Sequence, residues 1–534
     1  MEDIEKWTEA RLITPEKLVA ARIILEEVKA GKDVFDAIRK NPLPGVGHIA
    51  KHTLVVAYRQ LVASKEWPAD PDFLKRIRLK PMRTLSGVTT VTVLTGPHAC
   101  PGECIFCPDD ARLPKSYLYG EPGAMRGMQN NFDPFLQVST RIEALEAVGH
   151  PTDKIELLIL GGTFTAYDPE YQEWFIRRCF DAMNGYDAKT LEEAQLANED
   201  TNHRNVGLVI ETRPDEINPA ALAHMRLLGV TKVQVGAQSL DNHLLKINKR
   251  GHTAEETLQA VSLLRAAGFK VVLHWMPNIL GATLNSDRED FNRLWNNGYC
   301  PDEIKIYPTQ LVENSELFKI WSMGKFQPYT TDELIQLIAD IKITIPRYCR
   351  VNRVIRDIPS TLIVAGNKRS SLRMDIQNEL KKRGQKCSCV RCREVRGEQV
   401  DPAELQFHDL AYSAKASEEH FLSFDTPEDK LVGYLRLSLP DLVQNEAVRE
   451  EMPDLIGAAI IREVHIFGQA LPVGGGETGS AQHTGLGTTL LQQAEDIARN
   501  AGYKSMAVIA AVGTRLYYQK RGFKRGTHYF VKEL

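Results

Sequence analysis

Hydrophobic positions change their spacing three times along the chain. Up to about residue 75 they recur at helical intervals. TPEKLVAARIILEEVKAG starts with an N-cap threonine, Thr14, and ends on a glycine, and HIAKHTLVVAYRQLVAS predicts a second helix. LSGVTTVTVLTGP, rich in β-branched residues, predicts a strand. To about residue 345 the segments KIELLILGGTF, VGLVIETRP, KVQVGAQS, KVVLHWMP and EIKIYPTQ read as short buried strands. Amphipathic helices such as AALAHMRLLG and TAEETLQAVSLLRAAG lie between them. From about residue 416 the order changes again: LVGYLRLSL and AAIIREVHIFGQALPV as strands, a glycine turn into QQAEDIARNAGY, then MAVIAAVG and TRLYYQKRGF.

Repeated strand–helix units imply an α/β chain with a parallel sheet, closed or partly closed into a barrel. Functional groups then collect at the carboxyl ends of its strands. The polar clusters there are Gly161-Gly162-Thr163, Glu211-Thr212-Arg213, Gln238-Ser239, His274, and Lys305 with Tyr307. The expected domains are a helical region at 1–80, the barrel at 81–367, a basic linker at 368–415 and a mixed α/β domain at 416–534.

Composition adds little: 534 residues, 43% hydrophobic and 25% charged, are those of an ordinary globular chain. No apolar run is long enough for a membrane span, and MEDIEKWTEARLITPEK lacks the apolar core of a secretory leader. The expectation is a cytoplasmic protein. Charge is more informative. The net value is −3, yet Lys75, Arg76, Arg78, Lys80 and Arg83 fall between Phe73 and Arg83 with no acid among them. Lys368 to Arg396 holds ten Lys/Arg against three Asp/Glu. Such blocks suit phosphate backbones or a plain solvated face.

Six of the nine cysteines form two tight triplets, which points to metals in a reducing compartment. Cys100, Cys104 and Cys107 form C-x3-C-x2-C in PHACPGECIFCP. Three thiolates in this spacing can hold three irons of a [4Fe–4S] cube and leave the fourth open for S-adenosylmethionine. A zinc knuckle or a disulfide is the competing reading. Cys387, Cys389 and Cys392 form C-x-C-x2-C, which favours zinc, with His408, Cys349 or water as fourth ligand and a second iron–sulfur cluster as the alternative. In QHTGLG, Gly485 and Gly487 expose backbone N–H groups at a helix start, the arrangement that cradles a pyrophosphate. With the downstream Tyr-Tyr-x3-Gly-Phe, this turn resembles the acyl-CoA site of GNAT-type acetyltransferases.

A radical S-adenosylmethionine barrel followed by a GNAT-like domain resembles the catalytic subunit of Elongator and its stand-alone archaeal and bacterial relatives. The segments carrying the resemblance include PHACPGECIFCP, ELLILGGTF, IETRPD, VGAQS, NKRGHT, HWMPN, IKIYPT, IREVHIFG and QHTGLG. It implies 5-carboxymethylation of the tRNA wobble uridine in the anticodon stem-loop. Acetyl-CoA would be the carboxymethyl source, and an electron donor not identifiable from the sequence would feed the cluster. It implies a cluster on Cys100, Cys104 and Cys107. S-adenosylmethionine would meet Gly161, Gly162, Thr163, Glu211, Arg213 and Gln238. Lys154, Glu463, Val464, His465, Ile466, Gly485, Leu486, Gly487, Thr488 and Tyr518 would meet acetyl-CoA. Lys305, Tyr307 and Tyr517 would approach the reacting groups, and His465 or Glu463 would assist thioester hydrolysis. The basic strip would bind tRNA, as a monomer or homodimer. The rival is a protein lysine acetyltransferase, which would turn over a lysine peptide without S-adenosylmethionine or iron.

Overall fold

The computed structural model describes residues 12–534 except 46, 80–83, 85, 397, 399, 442 and 468–484. It divides into two compact units. One contains the chain up to Thr89 together with Ser139–Lys154, and the other contains the remainder.

The first unit holds the helices Pro15–Lys29, Val34–Lys40, Lys51–Ala63 and Pro71–Ile77, and all but Lys51–Ala63, which follows Ala50, start where a short polar side chain satisfies their free N–H groups. Thr14 accepts from the Lys17 amide, Asp33 from Phe35 and Asp36, and Asp70 from Asp72 and Phe73. Their inward stripes meet in a core that includes Leu25, Val28, Leu54, Phe73 and Ile77. Each fully buried aliphatic there stabilises the unit by roughly 2 kcal/mol. Two cations of the basic strip are built into this unit. Arg76 Nη2 donates to the Val28 carbonyl at 2.7 Å, and Arg78 Nη1 to Thr84 Oγ1 at 3.4 Å. Lys80 and Arg83 lie outside the described residues.

The second unit carries two seven-stranded sheets. The first is the half-barrel: β1 (Thr89–Leu94), β2 (Lys154–Leu160), β3 (Arg204–Thr212), β4 (Lys232–Gln238), β5 (Lys270–Trp275), β6 (Glu303–Ile306) and β7 (Arg350–Arg353), adjacent in chain order. β3 to β7 pair in parallel. Burial along β2 alternates strictly, with Ile155, Leu157 and Ile159 covered.

The second sheet comprises β8 (Gln406–Ala414), β9 (Ser417–Asp425), β10 (Leu431–Pro440), β11 (Ala458–Ile466), β12 (Ser505–Val508), β13 (Lys524–Arg525) and β14 (Phe530–Glu533). Their order is β13-β14-β12-β11-β10-β9-β8, and the β11–β12 pair is parallel. This sheet begins at Gln406, inside the segment expected to be a linker. The amphipathic helix Leu486–Asn500 packs Leu490, Leu491 and Ala494 into its core. β11 ends at Ile466, and the rest of the strand expected there, from Gly468 on, lies outside the described residues.

The second sheet docks on the amino-terminal ends of the barrel strands. Arg462 Nη1 donates to the Phe269 carbonyl just before β5, and Arg436 Nη2 to the Tyr348 carbonyl ahead of β7. A bulge in β11 makes this contact possible. Arg436 pairs with Glu463 but Leu437 with Ile461, so Arg462 is the extra residue. Alternation breaks there, and consecutive charges reach the same side: Arg462 meets Asp302, while Glu463 meets Lys270. Among the described residues no helix is long and apolar enough to cross a membrane.

Candidate active site

The cysteine loop follows β1, the edge strand of its sheet. The Gln137 amide donates to the Leu94 carbonyl and accepts from its N–H, while the Thr95 amide still donates to the Leu160 carbonyl at the end of β2. Each cysteine then finds a different neighbour. Cys100 Sγ lies 3.7 Å from Thr163 Oγ1, Cys104 Sγ accepts from Arg250 at 3.0 Å, and Cys107 Sγ lies 2.9 Å from Ser116 Oγ. Burial pushes the Cys107 thiol up to about 11, so it becomes a thiolate only where a positive group compensates it. Three sulfurs on separate irons of a cube stand farther apart than three around one ion. Of the described residues, only Cys387, Cys389 and Cys392 gather their ligand atoms within 4.8 Å of one another. The wider spread of the first triplet suits a cube.

The expected S-adenosylmethionine residues surround this loop at the carboxyl ends of β2, β3 and β4. A Cβ on Gly161 would sit 1.9 Å from Thr95 Oγ1, so only glycine fits there. Glu211 accepts from the Tyr117 hydroxyl at 2.7 Å. Arg213 is clamped by Asp215 through Nε and Nη2, and its guanidinium lies against Gly102 of the cysteine loop. Gln238 adopts φ 68°, a left-handed conformation unusual for a residue with a side chain. The carboxylate of Asp290, beneath this turn, accepts from Ser239 Oγ, the Leu240 amide and Trp275 Nε1. Arg213 Nη1 and Gln238 Oε1 are buried with no protein partner. One is a donor and one an acceptor, which fits a ligand carrying a carboxylate, an amine and hydroxyls.

Lys305 on β6 points into the barrel beside these groups. Its ammonium bonds Gln234 and stands 3.8 Å from Glu211. His274 Nε2 meets the same Gln234 oxygen at 2.9 Å, and burial, then Lys305, holds this imidazole well below its ordinary range. The Tyr307 ring packs edge-on against His274 at 5.4 Å. The structure thus brings Lys305, Tyr307, His274 and Glu211 together on one polar floor.

The residues expected to meet acetyl-CoA lie elsewhere. Lys154 opens β2, at the opposite end of that strand from Gly161. Burial would raise the Glu463 carboxyl, but Lys270 and Arg436 together hold it down to about 2. A carboxylate so weakly basic cannot take a proton from water near neutral pH. Glu463 takes part in the docking contact with the barrel through Lys270 and Arg436. His465, two residues on, packs against Tyr434 and Phe467. Burial lowers it to about 4, and its Nε2 is buried without a partner. Val464 and Ile466 pack on the core of the second sheet, to which the buried Tyr518 belongs, and Leu486 is also buried. Gly485, at φ 80°, opens the helix that continues through Gly487 and Thr488. Tyr517 lies over it: a Cβ on Gly487 would sit 3.3 Å from the Tyr517 hydroxyl. The guanidinium of Arg521 stacks 3.5 Å from the centre of the Tyr517 ring. Gln482, His483 and Thr484 lie outside the described residues.

Cys387, Cys389 and Cys392 converge tightly, and Lys342 Nζ reaches Cys392 at 3.9 Å. Hydrogen bonds from Cys387 and Cys392 hold Cys389 well below its ordinary range, as a thiolate. The group borders a cavity of about 320 Å³ also lined by Lys342, Lys386 and Arg393. His408 is turned to Asp425 instead, at 4.0 Å.

Comparison with known proteins agrees with this geometry. The radical SAM superfamily profile matches residues 95–294, and the Radical_SAM C-terminal domain profile matches 301–382. The tRNA uridine(34) acetyltransferase of Methanocaldococcus infernus is 44% identical over 475 residues, covering 86% of this chain and 88% of the relative. Human Elongator complex protein 3 is 34% identical over 530 residues, covering 96% and 95%. The solved archaeal Elp3 of Methanocaldococcus infernus, with residues 1–46 deleted, superposes with a TM-score of 0.73 at 38% identity, covering 84% of this chain and all of that one. The chain belongs to the Elongator complex protein 3 family.

As a radical SAM enzyme of the Elongator complex protein 3 family, the chain is built for a [4Fe–4S] cluster and S-adenosylmethionine. Several residues at that site escaped the sequence reading. Gln234 bridges Lys305 and His274, and its signal was present: it alternates inward with Gln238 along KVQVGAQ. Arg250 and His252 sit in NKRGHT, a segment used for the resemblance without a role. Tyr117 and Arg356, which bind Glu211 and Glu121, lie in segments with no local signature.

Proposed function

We propose that the chain converts the wobble uridine of tRNA to 5-carboxymethyluridine using acetyl-CoA. The observation that carries this is the cysteine triplet at the carboxyl ends of the barrel strands in a chain 44% identical over 475 residues to a tRNA uridine(34) acetyltransferase. When bound, the cluster and S-adenosylmethionine supply a 5'-deoxyadenosyl radical able to take a hydrogen from the acetyl methyl. Cys100, Cys104 and Cys107 hold the cluster, Arg213 and Gln238 orient S-adenosylmethionine through their unpaired atoms, and Lys305 with Tyr307 receives the reacting carbon. Gly485, Gly487 and Thr488 take the CoA pyrophosphate at the start of their helix, and Tyr517 lies beside them. The Cys387, Cys389 and Cys392 group holds zinc. Anaerobic reconstitution with tRNA, acetyl-CoA, S-adenosylmethionine and a reductant tests the whole reading. Mass analysis should show carboxymethyluridine, and a nucleoside digest lacking it would sink the proposal.

His465 has a buried Nε2 with no protein partner, which suits a hydrogen bond to the thioester or to the water that attacks it. His465→Ala is expected to leave CoA affinity within about twofold and to slow acetyl-CoA hydrolysis by about 10² or more. Unchanged hydrolysis excludes this role.

For tRNA, Lys75 is the informative cation, because Arg76 and Arg78 already serve their own unit. Lys75→Glu should weaken tRNA binding and lower the salt slope by about one. Equal affinity across a salt series would remove the strip from the RNA interface.

A further inference from the structure

Arg250 lies in the turn between the helices Asn242–Ile247 and Ala254–Ala266. The turn is fixed on all sides. The Arg250 amide donates to the Leu245 carbonyl at 3.0 Å. The Asn248 side chain donates to the Leu244 and Leu280 carbonyls at 2.8 and 2.9 Å. The Ile105 amide, inside the cysteine loop, donates to the Asn248 carbonyl at 3.3 Å. Loop and turn therefore hold each other in register. Arg213 Nη2 donates to the Arg250 carbonyl at 2.8 Å, which ties the turn to β3 as well.

The Arg250 side chain is 5% exposed. Nη2 donates to the Gly236 carbonyl on β4, Nη1 donates to Cys104 Sγ at 3.0 Å, and Nε is buried without a partner. None of the ion pairs among the described residues involves Arg250. A buried guanidinium with no carboxylate is costly unless another anion faces it. The anion here is the sulfur of Cys104. His252, two residues on, adds no competing charge, since burial, then Arg250 itself, holds it down to about 3.

We propose that Arg250 sets the reduction potential of the cluster held by Cys100, Cys104 and Cys107, through a charge-assisted N–H···S bond to Cys104. Reduction places one more electron on the cluster and its thiolates. A fixed cation at hydrogen-bond distance from a ligand sulfur favours that reduced state. No bond is made or broken; the one change is the electron gained. The planar fork explains the residue type: one terminal nitrogen holds β4 while the other meets the sulfur. Arg250 is a positioning residue that acts through Cys104.

The test is a potentiometric titration of the anaerobically reconstituted full chain, followed by electron paramagnetic resonance, with dithionite as one-electron donor. It uses no S-adenosylmethionine, tRNA or acetyl-CoA, so its result stands apart from the proposed carboxymethylation. Iron and sulfide are assayed in each sample. Arg250→Gln keeps an amide donor for Gly236 and removes the charge, and Arg250→Lys keeps the charge. In the glutamine variant the ratio of reduced to oxidised cluster at a fixed potential should fall about tenfold, a shift of about 59 mV for a one-electron couple. The lysine variant should restore most of it. A glutamine variant that loads a full cluster and titrates with the wild type overturns the proposal. Loss of the cluster from the glutamine variant but not from the lysine variant supports the counter-charge. Loss from both assigns Arg250 to bracing the loop and overturns it.

Discussion

Cys104→Ala is expected to abolish cluster loading and, with it, 5'-deoxyadenosine and carboxymethyluridine formation, while leaving the fold intact. Cys104 is the central member of its triplet and the buried one, and it alone faces Arg250. With two thiolates left, one corner of the cube has no ligand and the cluster is no longer held. Product formation should fall by at least about 10⁶-fold, the lower bound of enzymatic acceleration, because nothing else in the chain can start a radical reaction. Structural cost is expected at about 3–5 kcal/mol, that of a buried guanidinium left without its facing anion. Iron content, deoxyadenosine by chromatography and the thermal midpoint check the three statements separately. CoA binding should persist, because Gly485, Gly487 and Thr488 form no bond with the cysteine loop. A variant that keeps its iron and its deoxyadenosine would disprove the ligand assignment.

What the sequence made legible was local. The cysteine spacing, the glycines at 161 and 162 and the glycine turn at 485–487 each stand out within a dozen residues. The five central barrel strands announced themselves by apolar runs, because both faces of a parallel strand are largely covered. β7 did not: RVNR is four residues long and holds one apolar residue between two arginines and an asparagine. β8 was missed because six of its first residues, Gln406 to Ala411, are solvent-exposed, so no buried stripe marks it. Pairings across long stretches of chain were illegible for a different reason. Arg250 and Cys104 are 146 residues apart, and Lys270 and Glu463 are 193 apart. Only the fold brings them together. The same limit explains Glu463: alternation placed it beside His465, but the bulge at Arg462 and the cations facing it could not be read from spacing.

Asp302→Asn is expected to destabilise the second unit by about 3–5 kcal/mol, the cost of removing one partner from a buried ion network. Asp302 is fully buried just ahead of β6. It accepts from Arg462 through both oxygens, at 2.6 and 2.8 Å, and from the Val271 amide at 2.8 Å, with Arg436 3.4 Å away. Arg462 also reaches Glu419, at 2.9 Å. Asparagine keeps the shape but leaves two guanidiniums facing one fewer anion. Urea denaturation should show the loss directly, and a change below about 1 kcal/mol would mean the network is bypassed. The pH dependence follows from the same groups. Asp302, Glu303 and Glu463 are all held below the usual carboxylate range by neighbouring cations, against the effect of burial. Their unfolded forms bind protons first, so their stabilisation is complete above about pH 5 and drains away below about pH 4, towards about pH 2 for Glu463. In the asparagine variant this acid transition should move to higher pH, because the remaining carboxylates act on an already weakened interface. Cluster loading should change little, since Cys100, Cys104 and Cys107 lie at the other end of the strands. Carboxymethylation should fall more steeply than cluster content, because it needs the second sheet seated on the amino ends of the barrel.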